Sequence, residues 1–500
     1  MANIFTNMLN SAGDWFAAKL APYIQDPMGR GYSILSDYYI GDQRPQLKRK
    51  EGAPDDNVYQ NYVGLAVDRS VSRLLQGGVE FVLPENATAQ QEYIDNIWDL
   101  NKKEITLYQT GLYGAVHGTW YFKINPDDIT DPYTGKLYPR LTPINPRIIR
   151  IKTAAQDMNA VEEYKIEYTC KEERNGRVVE VTHKEITKRV QSAEYSETAI
   201  TTWVIETYEK VGDMVMVLLD TQPWDYDFPP IIHCKNLPSL ESAYGDSEID
   251  DIINVQDKSN FAVSNTGKII KFHAHPQTVG TGFSVGQMES MDTAVGVFRS
   301  IQNADAKVFN LEMQSDLSSS RDFYLDLRKS IFDIAREVDM SMFADKLGAL
   351  TNFGLRVLYT DAINKNDTKR QLYGDALLEL NRRLLVLNGQ EGEESRPGTV
   401  SWGDAMPINV AEEIAADKIA LEMGIVDKET VAQRYEIRYG VDWETIKERL
   451  DADAAEKRNN NPLLSGGIMP PFNKGASTPE SVGNNASMSD MQQQRQARNS

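Results

Sequence analysis

The chain has 500 residues, of which 41% are hydrophobic and 25% are charged, the proportions of a folded globular protein with room for more than one domain. Its 73 acidic residues outnumber its 53 basic residues and give a formal net charge of -20, which argues against a protein that binds phosphates tightly through clustered lysine and arginine. The same charge is compatible with a protein past which nucleic acid slides.

The sequence shows no pattern typical of membrane insertion or export. Its longest purely apolar run, Met214 to Leu219, is far shorter than the roughly 18 residues that a membrane span requires. The first 20 residues lack a basic leader before an apolar core, and the two cysteines, Cys170 and Cys234, show no paired spacing. We therefore expect an intracellular, reducing setting with free thiols and no membrane contact.

The N-terminal part predicts helices packed on a sheet. Residues 1–50 mix aromatic side chains with a basic cluster at their end, which indicates an arm and a short helix. Apolar residues at near-helical spacing from Asn57 to Gln76 predict a helix that ends at a glycine pair, followed by a strand from Val79 to Leu83. Another helix begins near Glu104 and leads into Thr119 to Ile124, whose aromatic and β-branched residues predict a strand.

Alternating side chains between Leu141 and Leu219 predict an antiparallel sheet. Tyr164, Ile166 and Tyr168 fall on one face of a strand, and the charged residues between them fall on the other. Asn175-Gly176 is a typical hairpin turn before the next strand.

The segment that follows predicts a helix with a marked start. A strand from Pro229 to His233 leads to a helix from Glu248 to about Val263. Ser247 is expected to cap this helix while Asp250 reaches back to it. Three neighbouring acids, Asp246, Glu248 and Asp251, would add negative charge at the positive end of the helix dipole.

A second capping box, Ser319 with Asp322, predicts another helix about 70 residues later. Apolar residues recur along it at helical spacing, namely Leu327, Ile331, Ile334, Ala335, Val338 and Met342. The intervening residues 268–314 have β-rich composition, with expected strands at Val295 to Phe298 and Lys307 to Leu311. The two helices therefore bracket a β insertion.

The C-terminal part predicts helices followed by a tail. A loop from Ala344 to Asn352 precedes a long helical pattern from Phe353 to about Leu387, and a strand is expected at Thr399 to Trp402. Three short helices follow, and from Arg458 onward the composition is that of a disordered tail. The three short helices are Ala411 to Met423, Lys428 to Tyr439 and Trp443 to about Lys457.

Candidate catalytic and metal-binding patterns are weak. His273 and His275 stand two apart on an expected strand, and His233 with Cys234 could complete a metal site, but nothing in the sequence brings the two pairs together. The acids from Asp246 to Asp251 are explained by helix capping without a magnesium ion. Gly280-Thr281-Gly282 lacks the further residues of a nucleotide-binding loop, and no serine lies in a nucleophile elbow. We therefore predict no metal site, no cofactor and no enzymatic activity.

The long helix carries charges of both signs. Its acids alternate with basic residues, and this pattern indicates either a solvated face of ion pairs or the wall of a channel with weak phosphate contacts. The sequence leaves both interpretations open. The basic residues are Arg356, Lys365, Lys369, Arg370, Arg382 and Arg383.

The order of elements resembles the portal proteins of tailed double-stranded DNA bacteriophages, of the type found in long-tailed phages. The resemblance covers most of the chain and rests on an ordered set of short motifs and not on one specific signature. Where the family often has a Ser-Gly-x-Ala-Leu-like stretch, this chain has Thr351 to Leu355. The motifs are Tyr39 to Gly41, Asn61 to Glu80, Leu112 to Gly114, Pro143 to Pro146, Phe228 to Val263 and Met406 to Asn409.

The resemblance implies an α+β, portal-type ring subunit with wing, helical stem, β-rich clip, long tunnel helix and helical crown. It divides the chain into a wing at 1–240, stem helices at 241–266 and 319–341, a clip at 267–318, a tunnel loop at 342–352, a tunnel helix and wing return at 353–401, a crown at 402–457 and a disordered tail at 458–500.

The resemblance also implies the role and the partners. Twelve copies would form a ring at one capsid vertex of the virion, after assembly in the host cytoplasm, and would conduct double-stranded DNA during packaging and ejection without sequence preference. The ring would dock the large terminase subunit, which hydrolyses ATP, and later a head completion or adaptor protein, and it would contact the major capsid or scaffolding protein.

The resemblance assigns candidate residues to each region. For the DNA channel and tunnel loop they are Lys346, Asn352, Asp345 and Arg356, with Lys346 either a phosphate contact or an ordinary exposed lysine. For the stem they are Ser247, Asp250, Ile253, Leu327, Ile331 and Ile334. For docking at the clip they are Lys271, His273, His275, Arg299 and Lys307.

Two other classes of protein are compatible with parts of the sequence. A phage tail or baseplate protein would assemble with a different symmetry or as a stack. A metal-dependent phage enzyme would require His273 or the acids from Asp246 to Asp251 to cluster with further ligands.

Overall fold

The chain is an α+β protein that divides into two compact units, Met1–Asn409 and Val410–Ser500. A computed structural model describes residues 31–48, 55–84, 86–174, 176–191, 201–240, 242–274, 277–281, 307–311, 317–342, 352–404, 410–432 and 445–452. Among these residues, no helix is long and apolar enough to cross a membrane.

The first unit contains eight of the described α-helices, and the second contributes a ninth. In chain order they are α1 (Tyr32–Ile40), α2 (Tyr62–Leu75), α3 (Thr88–Leu100), α4 (Lys103–His117), α5 (Ile253–Ala274), α6 (Leu317–Ala335), α7 (Asn352–Leu358), α8 (Thr360–Leu387) and α9 (Val410–Glu422).

The described strands form four antiparallel sheets with the orders β1-β12, β3-β2-β9, β4-β5-β6-β7-β8 and β10-β11. Their bounds are β1 (Val79–Val82), β2 (Thr119–Thr130), β3 (Leu137–Ile144), β4 (Ile149–Thr153), β5 (Val161–Arg174), β6 (Arg177–Gln191), β7 (Thr201–Val211), β8 (Val217–Trp224), β9 (Ile231–Lys235), β10 (Gln277–Thr281), β11 (Lys307–Leu311) and β12 (Thr399–Trp402).

The main core lies where α3, α4 and the second half of α8 cover the sheets β3-β2-β9 and β1-β12. Trp98, Trp120 and Phe122 are almost completely buried there, and the indole of Trp98 donates to the Asn381 side chain at 2.9 Å. The predicted strands at Val79 and Thr399 pair with each other, although more than 300 residues separate them. The burial of these large aromatic side chains between the helices and the sheets holds the two layers together.

The five-stranded sheet confirms the predicted hairpin. β5 and β6 pair from Glu163 to Arg174 and from Arg177 to Lys188, and the chain turns at Gly176, whose φ of +70° suits glycine. Tyr164 and Ile166 are buried as their alternation predicts. Tyr168 lies on the same face but is 46% exposed, because the strand extends beyond the core at that point.

A second core joins α1, α2 and α4 to the beginning of α5 and the end of α6. Val67 and Val71 of α2 pack with Ile253 and Ile331, which are fully buried. The helix α2 begins at Tyr62 and not at Asn57 as predicted, and the Asn61 side chain caps it by accepting a hydrogen bond from the Gly64 amide at 2.9 Å. α5 and α6 pack along each other beyond this core.

The first of these two helices has other bounds than predicted. α5 begins at Ile253 and not at Glu248, because the preceding turn is bonded to α4. The Ser247 hydroxyl donates to the Val116 carbonyl at 2.6 Å, and the Glu248 amide donates to the Ala115 carbonyl at 2.9 Å. α5 also continues to Ala274, so the β-prone residues after Gly267 are helical and His273 is not on a strand. Once a helix has formed, each further residue adds one backbone hydrogen bond, so α5 continues through these mostly exposed residues.

The second helix also departs from its prediction. α6 begins at Leu317, so Ser319 lies inside its first turn and is not its N-cap residue. α6 ends at Ala335, where Arg336 takes a left-handed φ of 54° and the Glu337 amide donates to the Phe332 carbonyl at 2.9 Å. This is a Schellman-type ending with arginine where glycine is usual, and that explains why the sequence did not reveal it.

The long helical pattern is divided at Tyr359 into α7 and α8. Backbone hydrogen bonds from Tyr359 to Leu355 and from Ile363 to Tyr359 carry the helical path through the division. β10 and β11 form a two-stranded sheet, whereas the expected strand at 295–298 lies outside the described residues.

The second unit contains α9, which ends near Gly424 at a φ of +67°, as the sequence predicts. Residues 428–432 and 445–452 are also helical. The rest of the two predicted short helices and the tail lie outside the described residues.

Candidate functional site

The helices α5 and α6, called here the helical pair, are joined to the rest of the first unit, called here the body, by a buried cluster of five charged side chains, the junction network. Two of its members lie one turn apart on α8, so their ammonium groups point to the same side. The others come from the last turn of α2, the turn before α5 and the segment just after α6. The members are Arg73, Glu248, Glu337, Lys365 and Lys369.

Every contact within the junction network is at hydrogen-bond distance. The Lys365 ammonium group lies 3.0 Å from Glu248 Oε2 and 2.9 Å from Glu337 Oε1. The Lys369 ammonium group lies 2.6 Å from Glu248 Oε1, and Arg73 Nη1 lies 2.7 Å from Glu337 Oε2. None of the five side chains is more than 9% exposed, so these charges interact with little screening by water.

Neutral groups complete the network. The Lys365 ammonium group also donates to the Ala335 carbonyl at 2.8 Å, at the end of α6. The Asn236 amide group donates to Glu248 at 3.1 Å, and Lys369 donates to the Ser70 hydroxyl at 3.2 Å. Buried charges require such partners, because a buried charge without them costs several kcal/mol.

Burial and the attraction of opposite charges act in opposite directions on the pKa of Glu248, Lys365 and Lys369. Burial raises the pKa of Glu248, but Lys365 and Lys369 outweigh it and hold the pKa well below its usual range. Burial lowers the pKa of Lys365, yet the carboxylates of Glu248 and Glu337 raise it overall. For Lys369 burial prevails over the attraction of Glu248, and the pKa is lowered. Glu248 is therefore ionised near neutral pH.

The network ties both ends of the helical pair to one point of α8. Glu248 precedes α5, Glu337 follows α6, and Lys365 contacts both carboxylates. Moving the helical pair against the body would separate these buried charges. The arrangement is a mechanical link between the helical pair and α8, although Glu337 and Arg73 each also line a cavity at the edge of the network.

The structure corrects two sequence interpretations here. Glu248 was expected to act on a helix dipole, but its side chain is 4% exposed and paired with two lysines. Lys365 and Lys369 were expected on a solvated face or a channel wall, yet they are 4% and 0% exposed. The local pattern of mixed charges is the same for a buried network and a solvated face, so the sequence offered no signal to separate them.

Three further basic residues of α8 also contact the body. Arg370 donates to the Leu74 carbonyl at 3.3 Å and lies over the Trp402 ring. Arg383 donates to the carbonyls of Pro229 and Ile231. Arg382 and Arg383 lie over the Phe228 ring, and both also pair with Glu379 within α8. These contacts fix α8 against the sheets.

The predicted stem residues divide between the core and the surface. Ile253 and Ile331 meet in the second core, Ser247 bonds to α4, and Asp250 and Leu327 are half-buried. Ile334 is 45% exposed and points away from the core.

A partly exposed stripe runs along α6, with Phe323 and Ile334 exposed and the stripe residues between them half-buried. Its residues recur at three- and four-residue spacing and therefore share one side of the helix. Phe323 is 54% exposed and Ile334 45%, while Phe332 on the opposite side is buried against the body. We call this surface the α6 stripe, and its members are Phe323, Leu327, Ser330 and Ile334.

The predicted docking residues are described only in part. Lys271 is exposed at the end of α5 and pairs with Asp56 at 2.8 Å. His273 belongs to α5 and Lys307 to β11 by their backbones, with no described side chains. His275 and Arg299 lie outside the described residues.

The predicted channel residues are described less fully still. Lys346 and Asp345 lie outside the described residues, and Asn352 is described only as the first backbone position of α7. Arg356 is exposed on α7.

The histidine and cysteine pair suggested for a metal does not converge. His233 and Cys234 are neighbours on β9 and face opposite sides of the sheet. The His233 ring stacks on Tyr121 with centroids 5.0 Å apart, and burial lowers its pKa to about 3. The Cys234 thiol donates to the Leu372 carbonyl, and burial raises its pKa well above the usual value. The Cys234 side chain is part of the main core, and the His233 ring packs beside Tyr121 and Tyr244.

Comparison with family models gives a match over most of the chain. A family model described as phage portal protein, SPP1 Gp6-like, matches residues 31–462. A comparison with curated proteins found no match. The matched residues include the body, the helical pair, α8 and α9.

Proposed function

The chain belongs to the phage portal proteins of the SPP1 Gp6-like type, and from this membership we propose that its copies close into a ring at one capsid vertex, dodecameric in the assembled virion. The family is structural and not enzymatic. DNA would pass through the ring during packaging and ejection.

The observation that carries the ring proposal is the α6 stripe. Large apolar side chains are exposed on a helix whose other side is held by the second core and the junction network. A closed ring requires a rigid surface on each copy that meets a different surface on the next copy. The α6 stripe meets this requirement, because burial of Phe323 and Ile334 by a neighbour would remove apolar area from water.

We assign the regions of a portal subunit to the described elements as follows. The wing covers 1–240 with the five-stranded sheet, and α5 and α6 form the stem. The segment around β10 and β11 is the clip. The tunnel loop ends at α7, α8 is the tunnel helix, and residues 402–457 are the crown. The junction network would then hold the stem against the wing and the tunnel helix.

The channel would contact DNA weakly. The net charge of -20 opposes tight binding to phosphates, as a conduit for any DNA sequence requires. Lys346, Asn352, Asp345 and Arg356 would lie nearest to the DNA, with Lys346 the phosphate contact.

The outer surfaces would receive protein partners. The clip, with Lys271, His273, His275, Arg299 and Lys307, would dock the large terminase subunit and later a head completion or adaptor protein. The wing would contact the major capsid or scaffolding protein.

Electron microscopy and sedimentation of the full-length protein test the ring. We expect closed rings with an axial hole in end-on views of the wild type. Phe323→Asp should raise the protein concentration at which rings assemble by at least about tenfold. Burying a phenylalanine side chain contributes roughly 1.5–3 kcal/mol, and a tenfold change in an association constant corresponds to about 1.4 kcal/mol. Tyr133→Asp is the matched control, because this aromatic residue is 95% exposed in the turn between β2 and β3.

The two results separate the two parts of the proposal. Wild-type protein that stays monomeric at every concentration would contradict the ring. Rings that form equally well with Phe323→Asp and Tyr133→Asp would show that the α6 stripe is not the contact between copies.

A further inference from the structure

Three side chains with metal-binding donor atoms converge on the β5-β6 hairpin. Cys170 and Glu172 stand two apart on β5 and so share a face of the sheet. His183 on β6 pairs with Tyr168, which places its ring on that face too. The Cys170 thiol, a Glu172 carboxylate oxygen and a ring nitrogen of His183 all lie within 4.8 Å of one another.

We propose that Cys170, Glu172 and His183 bind a divalent transition-metal ion, with zinc the best fit. Glu172 Oε1 lies 2.6 Å from His183 Nε2 and 3.5 Å from Cys170 Sγ, so the three donors already face one point. Thiolate, imidazole and carboxylate are the protein ligands of zinc, and three of them leave a fourth tetrahedral position for water. Small rotations of the side chains would open the space for an ion.

A neighbouring arginine orients the carboxylate. Arg174 donates to Glu172 Oε2 through Nε at 3.0 Å and Nη2 at 2.8 Å, which leaves Oε1 turned toward His183 and Cys170. The same guanidinium group binds both oxygens of Glu209 at 2.7 Å. Outer contacts of this kind fix the direction of a metal ligand.

The charges around the site balance when a dication is bound. Glu172 and Glu209 carry two negative charges and Arg174 one positive charge. A metal ion with two positive charges, together with the Cys170 thiolate that binding would create by releasing its proton, brings the sum to zero. The side chains of His183 and Glu172 are 25% and 33% exposed, so an ion can enter from solvent.

Cobalt provides the first test, because a thiolate bound to Co²⁺ absorbs in the near ultraviolet. Full-length protein, kept reduced by a reagent that does not chelate metals, is titrated with Co²⁺ and its absorbance is recorded. The stoichiometry and affinity of Zn²⁺ binding are then measured by calorimetry. We expect one ion per chain with micromolar or tighter affinity, and displacement of Co²⁺ by Zn²⁺.

Variants identify the ligands. Cys170→Ser should abolish the thiolate absorption and weaken Zn²⁺ binding at least tenfold, and His183→Gln should weaken it similarly. Lys171→Gln is the control, because Lys171 lies between two of the ligands on the opposite face of β5. Circular dichroism of each variant checks that the fold is retained.

Several results would overturn the metal site. A wild-type titration without thiolate absorption would do so, as would absorption that persists in Cys170→Ser. Equal Zn²⁺ binding in the wild type, Cys170→Ser and His183→Gln would show that the three residues form only a hydrogen-bonded cluster on the hairpin.

Discussion

Replacing Glu248 by glutamine removes one charge from the junction network while nearly keeping the size of the side chain. Lys369 loses the carboxylate that lies 2.6 Å from its ammonium group. Lys365 keeps Glu337 at 2.9 Å. We therefore expect Glu248→Gln to leave the Lys369 ammonium group without its carboxylate partner and to lower the free energy of unfolding.

The expected loss is about 3–5 kcal/mol, the cost of breaking a buried ion pair by removing one partner. An upper limit follows from the chemistry of Lys369, which can release its proton instead of remaining charged. From the ordinary pKa of 10.5, deprotonation at pH 7 costs about 5 kcal/mol at roughly 1.36 kcal/mol per unit. The two values agree, so a much larger loss would require collapse of the surrounding fold.

Two further variants make the measurement specific. Glu167→Gln breaks the pair of Lys165 and Glu167, whose side chains are 39% and 41% exposed, and should cost less than about 1 kcal/mol. The double variant Glu248→Gln with Lys369→Met removes the stranded cation and should recover most of the loss.

Urea unfolding at one fixed protein concentration gives the required free energies. Tryptophan fluorescence follows the transition, because Trp98 and Trp120 are buried in the main core. The reasoning fails if Glu248→Gln and Glu167→Gln cost the same, or if adding Lys369→Met to Glu248→Gln recovers nothing.

Two other predictions follow from the structure. Because the pKa of Glu248 is lowered in the folded state, its contribution to stability is complete above about pH 4.5 and is lost as the pH falls through the lowered value. The difference in unfolding free energy between the wild type and Glu248→Gln should therefore narrow in acid, and a constant difference down to about pH 2 would contradict the ion pairing. Gly118→Ala should destabilise by about 2 kcal/mol or more, because φ is +79° and the added carbon would overlap the Gly245 carbonyl oxygen. Gly176→Ala is the control, because φ there is +70° but the added carbon would meet open space, and it should cost about 1 kcal/mol. Thermal unfolding measures both variants, and equal losses of stability would show that the contact between residue 118 and the Gly245 carbonyl does not matter.

Elements with strong local signals were predictable from the sequence. α2 ends at Leu75, next to the predicted glycine pair, and Gly176 turns the chain between β5 and β6. The strand at Thr399 to Trp402 has the predicted bounds. In each case the residues that determine the conformation are neighbours in the chain, so composition and spacing were sufficient.

Helix ends that depend on distant groups were not predictable. Ser247 has the sequence pattern of an N-cap residue, but its hydroxyl group donates a hydrogen bond to the Val116 carbonyl of α4. The helix therefore begins later, at Ile253. Arg336 ends α6 in a left-handed conformation that arginine seldom adopts. Tertiary contacts decided both ends, and the local signals alone favoured other residues.

The sequence by itself determined the α+β class, most of the strands and the family resemblance, since these follow from periodicity and from the order of motifs. Only the tertiary structure decided which charges are buried. Lys365 and Lys369 have the same local pattern as solvated lysines. Glu248 and Glu337 are nearly 90 residues apart, and they meet these lysines only because the turn before α5 and the segment after α6 both contact α8. Cys170 and His183 likewise share a site because the register of the hairpin brings them together. Burial and convergence are properties of the folded chain and are absent from any short stretch of its sequence.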